Sequence, residues 1–214
     1  MNWQAKLLNL LPLLPAFLLA FSVHESAHGL AALWLGDPSA KKQGRISLYP
    51  PRHFDLFGSL ILPLLSLPLL QVFYGYGRPA PVDPGRLRRP KPDFSLVALA
   101  GPLSNFVLAL ASAGLGRLLM PWASVLGPLL VVCEASVELN LILGAISLLP
   151  LPGFDGMKAL YFALPDEWCW RLNRAERWGL LYLAALSAFG GLAWLATFSD
   201  FSVHLIGRIA GFPQ

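Results

Sequence analysis

The chain has 214 residues, 56% of them hydrophobic and 13% charged, with a formal net charge of +4. An average soluble domain carries roughly 25% charged residues, so this composition excludes an ordinary soluble globule and predicts an all-α polytopic membrane protein in a lipid bilayer. The two cysteines, Cys133 and Cys169, make neither a disulfide framework nor a C-x-x-C metal site, and with no aromatic-basic motif present nucleic acid is not an expected partner.

The first apolar stretch, residues 7 to 35, follows Lys6 and has the outline of a signal peptide. No small-x-small cleavage site closes it, and the pattern runs on through His24 to Leu35, so it reads as a retained first span. Inside it, "FSVHESAHGLAALW" places His24, Glu25 and His28 where burying each ionisable side chain costs several kcal/mol. On a helix, residues i and i+4 share a face, so the two imidazoles can meet one metal ion with Glu25 beside it. Zinc suits this set: neutral imidazoles bind it, it acidifies a bound water, and a carboxylate takes the proton. A structural reading, with three polar groups satisfied by core hydrogen bonds, gives no reason for the spacing.

The loop from Asp37 to Asp55 carries Lys41, Lys42, Arg45 and Arg52, and the loop from Gly75 to Phe94 carries Arg78, Arg86, Arg88, Arg89 and Lys91. Basic loops stay cytoplasmic. The stretch between them, 56 to 74, contains Pro63 and Pro68 and is expected to be bent, entering the membrane and returning or lying along its surface. An ordinary span that breaks the charge rule once is the alternative.

Spans over 95 to 118, 122 to 152 and 178 to 198 then alternate, leaving 201 to 214 outside. His24 and His28 precede Asp37 by 13 and 9 residues, which at 1.5 Å per residue puts them on the order of 14 to 20 Å from the cytoplasmic end.

A catalytic zinc site takes three protein ligands and leaves a position open. His53 and Asp55 sit in a basic loop and His204 near the far end, so Asp155 in "ISLLPLPGFDGMKAL" is the preferred third ligand. Pro150 and Pro152 break the helix there, Gly153 and Gly156 let the backbone turn, and unwound backbone at membrane depth has to face protein or a watery cavity. Glu134 and Glu138, four residues apart on the third core helix, are intramembrane acids; they could line a hydrated cleft, or one could replace Asp155 as ligand. Gly101, Pro102 and Asn105 are read first as helix-packing residues.

"HESAH", "ALAGPLSNFVLAL" and "LNLILGAISLLPLPGFDG", in that order, resemble the site-2 protease family of intramembrane zinc metalloproteases over most of residues 15 to 160. "GRISLYPPRHFDLFGSLILP" and "GRPAPVDP" resemble its short prokaryotic branch without a PDZ domain. The resemblance implies one integral-membrane domain over 1 to 214, with a three-helix catalytic core at about 7 to 160 and accessory helices beyond. It also implies one zinc ion on His24, His28 and Asp155, with Glu25 as base. Members usually carry asparagine eight residues before the metal-binding aspartate, as a substrate or oxyanion contact. Ser147 stands there in this chain, and Asn140 matches a second asparagine common in the family.

The expected function is zinc-dependent cleavage of peptide bonds within transmembrane protein substrates, in a prokaryotic inner membrane and nearer its cytoplasmic side. The competing class is a catalytically silent relative that binds metal or transmembrane helices without cutting. Ser147 favours the second and Glu25 the first. A metal transporter would call for ligands repeated along several helices, and only one cluster is seen.

Overall fold

The computed structural model describes residues 12–70, 73–195, 197–198, 201 and 204, and among these there are helices and turns but no strand. Residues 7–11 of the expected first span, and nearly all of the 201 to 214 tail, lie outside the described residues.

The apolar run around the histidines forms α1 (Leu13–Trp34), 22 residues or about 33 Å at the helical rise. A four-residue helix, α2 (Ser39–Lys42), follows. A π-helical turn over Phe57–Ile61 leads into α3 (Leu62–Leu70). That turn is capped by Asp55, whose Oδ1 accepts from the Gly58 N–H at 2.7 Å while Ser59 Oγ accepts from the Asp55 N–H at 3.1 Å.

The chain then doubles back without regular secondary structure. Tyr74 N–H donates to Ser66 Oγ at 2.9 Å, Tyr76 N–H to the Gly58 carbonyl at 3.0 Å, and Arg78 N–H to the His53 carbonyl at 2.6 Å. These bonds bring the segment after Phe73 back alongside His53, Gly58 and Ser66. The basic loops flanking 56 to 74 also pack together: Asp37 is fully buried and accepts from Ser39 N–H at 2.9 Å and Asp83 N–H at 2.7 Å. Burial opposes ionisation of Asp37, but those donors outweigh it and hold the carboxyl below its ordinary range.

α4 (Pro90–Leu119) opens with proline in its first turn, and Asp93 caps it by accepting from the Arg89 N–H at 2.8 Å. A 3-10 turn over Met120–Trp122 joins it to α5 (Ala123–Ser147), which is kinked where Leu126 leaves helical geometry two residues before Pro128. The two pack antiparallel: Ala109 and Ala113 meet Val137 and Leu141, and α1 lies against both. Small residues at this contact let the backbones approach closely.

The expected span 122 to 152 ends early, at Ser147, because Leu149 precedes Pro150 and a pre-proline residue is disfavoured in the helix. A turn follows in which Gly153 adopts φ +90°, a conformation strained for any residue with a Cβ. The helices α6 (Asp155–Ala159), α7 (Asp166–Ala175) and α8 (Gly179–Ala188) follow. The expected single span over 178 to 198 is thus corrected: α8 stops after ten residues, where Phe189 is followed by Gly190 at φ +75° and Gly191.

Among the described residues, two helical runs are long and apolar enough to cross a membrane, Leu13–Trp34 and the 58-residue stretch Pro90–Ser147 that contains both α4 and α5.

Candidate metal centre

Two elements deliver the cluster. α1 presents His24 and His28 one turn apart, with ring centroids 4.7 Å from one another. The first residue of α6 presents Asp155 from the opposite side. His24 Nε2 lies 3.1 Å from Asp155 Oδ2, His28 Nε2 3.5 Å from Asp155 Oδ1, and the two Nε2 atoms 3.1 Å apart. Four-coordinate zinc with ligands at about 2.0–2.1 Å requires ligand atoms roughly 3.3–3.4 Å from one another, so the triad fits that ion. His24, His28 and Asp155 are the one group among the described residues whose ligand atoms converge in this way.

The bonds of the outer nitrogens leave both Nε2 atoms available to an ion. His28 Nδ1 donates to the Val97 carbonyl at 2.7 Å, leaving Nε2 free for an ion. His24 Nδ1 lies 2.6 Å from Asn105 Oδ1, and a chain of bonds fixes which end of that amide it meets. Asn140 Nδ2 donates to the Ser136 carbonyl at 2.8 Å, so Asn140 Oδ1 has to accept. It accepts from Asn105 Nδ2 at 2.9 Å, which turns Asn105 Oδ1 toward His24. A main-chain carbonyl on α5 thereby sets, through two carboxamides, which nitrogen of His24 carries hydrogen.

Gly101 on α4 supplies the space. A Cβ there would sit 2.3 Å from His28 Nε2 and 2.6 Å from His24 Nε2, between the ligand atoms themselves. The packing role read from the sequence for Gly101 and Asn105 is therefore incomplete, since one leaves room at the metal-facing nitrogens and the other orients a ligand. The sequence holds no local signal for either, because they act on residues about 80 positions away.

Glu25 is buried beside the triad, and its Oε2 accepts from the Ala80 N–H at 2.7 Å. The segment that offers this donor is held by Arg45, itself buried, whose Nη2 donates to the carbonyls of Arg78 and Pro79. His53 is buried in the same wall, with Nε2 donating to the Ser47 carbonyl at 2.7 Å. Burial, reinforced by the charges of Arg45 and Arg52, pushes His53 below its ordinary value against the pull of that carbonyl. His53, Asp55 and His204 all stand outside the ligand cluster.

The triad and Glu25 open onto a cavity of about 540 Å³, also lined by Tyr74, Phe154 and Ser147. Asn140 is fully buried with its amide engaged as described, and it does not line this cavity. Glu134 and Glu138 are exposed on the outer face of α5 and are not among the lining residues either.

Comparison with known proteins finds relatives over most of the chain. "Putative zinc metalloprotease YwhC" of Bacillus subtilis is 31% identical over 189 residues, covering 84% of this chain and 81% of that protein. "Putative zinc metalloprotease Rip2" of Mycolicibacterium smegmatis is 28% identical over 198 residues, and its Mycobacterium tuberculosis counterpart 31% identical over 202, each covered to 74% of its length. No family model and no solved structure matches the chain.

Proposed function

The chain belongs to the site-2 protease family, and on that premise we propose that it is a zinc-dependent endopeptidase that cuts peptide bonds within transmembrane segments of other membrane proteins. The observation that carries this reading is the convergence of His24, His28 and Asp155 at zinc-ligand spacing with Glu25 beside them on one cavity.

His24 and His28 through Nε2 and Asp155 through its carboxylate would hold the ion. When bound, zinc polarises a carbonyl and acidifies water. Glu25 takes one proton from the attacking water while the water oxygen bonds to the carbonyl carbon. With Oε2 held by Ala80 N–H, Oε1 carries that proton and returns it to the amine as the C–N bond breaks.

Membrane placement rests on α1, the α4–α5 hairpin and their outward side chains. Leu103, Val107 and Leu110 on α4 and Val125, Leu129 and Val131 on α5 are all exposed, as lipid-facing positions would be. The doubled-back stretch 56 to 74 brings both basic loops to one end, which the charge rule assigns to the cytoplasm. On that threading the protein belongs to a prokaryotic inner membrane, with its site nearer the cytoplasmic side.

The test is reconstitution of the purified chain in vesicles with a library of single-span substrates, with and without a zinc chelator. Glu25→Gln is expected to abolish cleavage while keeping about one zinc per chain. Cleavage that survives zinc removal or Glu25→Gln refutes the reading. The silent-relative alternative, favoured by the short Ser147 side chain, predicts zinc binding by the wild type with no library member cut.

A further inference from the structure

Peptide hydrolysis needs a hydrogen-bond donor for the carbonyl oxygen that turns anionic as water adds. Ser147 is on the cavity wall, but a serine hydroxyl reaches less far than a carboxamide.

Tyr74 shares the cavity with Glu25, Asp155 and Ser147. Its main chain is clamped on both sides, since Ser66 Oγ accepts from the Tyr74 N–H at 2.9 Å and donates to the Tyr74 carbonyl at 3.0 Å. Its ring stacks on Phe154, the residue before Asp155, at 6.1 Å between centroids and 26° between planes. The phenol also lies within electrostatic reach of the Asp155 carboxylate.

The side chain is only 7% exposed, and a tyrosine hydroxyl so placed ordinarily has a partner. This one bonds to no described residue. Nor is it sealed in: the buried unpartnered side-chain atoms among the described residues are Arg45 Nε and His53 Nδ1 alone. Tyr74 thus lines the cavity that it shares with the triad and Glu25, with its hydroxyl unbonded to any described residue.

We propose that Tyr74 is a catalytic residue that donates its phenolic hydrogen bond to the scissile carbonyl oxygen as the carbon becomes tetrahedral. This role rests on the peptidase reading above. The bond from water oxygen to carbon forms, the carbonyl π pair moves onto oxygen, and Tyr74 O–H stabilises that charge without giving up its proton. When the pair returns, the C–N bond breaks and the amine takes the proton held by Glu25. A rigid ring suits the task, because the donor is in place before charge develops.

The test is Tyr74→Phe in the full-length protein, in vesicles with a single-span substrate that the wild type cuts. The change removes one oxygen, keeps the stack on Phe154 and breaks no bond to a described residue, so zinc content and thermal midpoint should stay at wild-type values. The expected result is a kcat lower by about 10²- to 10³-fold with KM within about twofold. An unchanged kcat, or a raised KM with kcat intact, overturns the role if Glu25→Gln is inactive in the same vesicles. Cleavage by Glu25→Gln would overturn the peptidase reading and this role with it.

Discussion

Gly101→Ala should empty the metal centre without touching a ligand. The added Cβ would lie 2.3 Å from His28 Nε2, 2.5 Å from His28 Cε1 and 2.6 Å from His24 Nε2. Ordinary contact for a carbon is about 3.5 Å, so each ring must retreat by roughly 1 Å. Neither is free to do so: Nδ1 of His28 is tied to the Val97 carbonyl at 2.7 Å and Nδ1 of His24 to Asn105 at 2.6 Å. Zinc sites hold their ligand distances to within about 0.2 Å, several times less than the required shift. We expect zinc to fall from about one to below about 0.1 per chain, measured by elemental analysis after gel filtration against a weak chelator. The thermal midpoint of the wild type should rise with added zinc, and that of Gly101→Ala should not. Gly114→Ala on the same helix, where a Cβ meets nothing within 4 Å, is the control and should keep its zinc. Gly101→Ala with wild-type zinc and wild-type cleavage would refute the reasoning.

The carboxamide chain and the segment beside Glu25 lead to further expectations. Asn105→Leu removes the acceptor that orients His24 and should weaken zinc binding by about 10- to 100-fold in a chelator competition; unchanged affinity would mean that the ring orients itself. Ala80→Pro deletes the N–H that holds Glu25 Oε2, at a pre-proline position, where the helical region is already disfavoured. A hydrogen bond to a charged group contributes about 1.5–3 kcal/mol, so turnover should drop by about 10- to 100-fold with zinc retained, and an unaltered rate would remove Ala80 from the mechanism. Cysteines introduced as Lys42→Cys and Arg88→Cys should react with a membrane-impermeant thiol reagent from the same side in intact vesicles, whereas labelling from opposite sides would show that 56 to 74 crosses.

What the sequence determined by itself are the features whose physics is local. The i, i+4 spacing of His24 and His28 acquires meaning as soon as the run is helical, because a 3.6-residue period puts both rings on one face. Pro150, Pro152, Gly153 and Gly156 forbid a continuing helix, so Asp155 was legible as a residue on a break. The basic content of the two loops likewise implied that 56 to 74 turns back, and the bonds from Tyr76 to Gly58 and from Arg78 to His53 bring the segments on either side of it together, while its course relative to a membrane is what the thiol labelling tests. Where local signals were weaker, boundaries slipped: α8 ends at Ala188 because Gly190 and Gly191 interrupt a stretch that is apolar enough to read as one span.

Only the tertiary structure decided how those pieces work together. Asn105 is 81 residues from His24, Asp155 is 131 residues from it, and Ala80 is 55 residues from Glu25. Gly101 looks like any small residue at a helix contact until the imidazoles of α1 are laid against it. Tyr74 looks like the end of an apolar run until Ser66 holds its main chain and Phe154 stacks on its ring. A side chain's neighbours along the chain set its backbone conformation, but its hydrogen-bond partners and the space around it come from elements that only folding brings together.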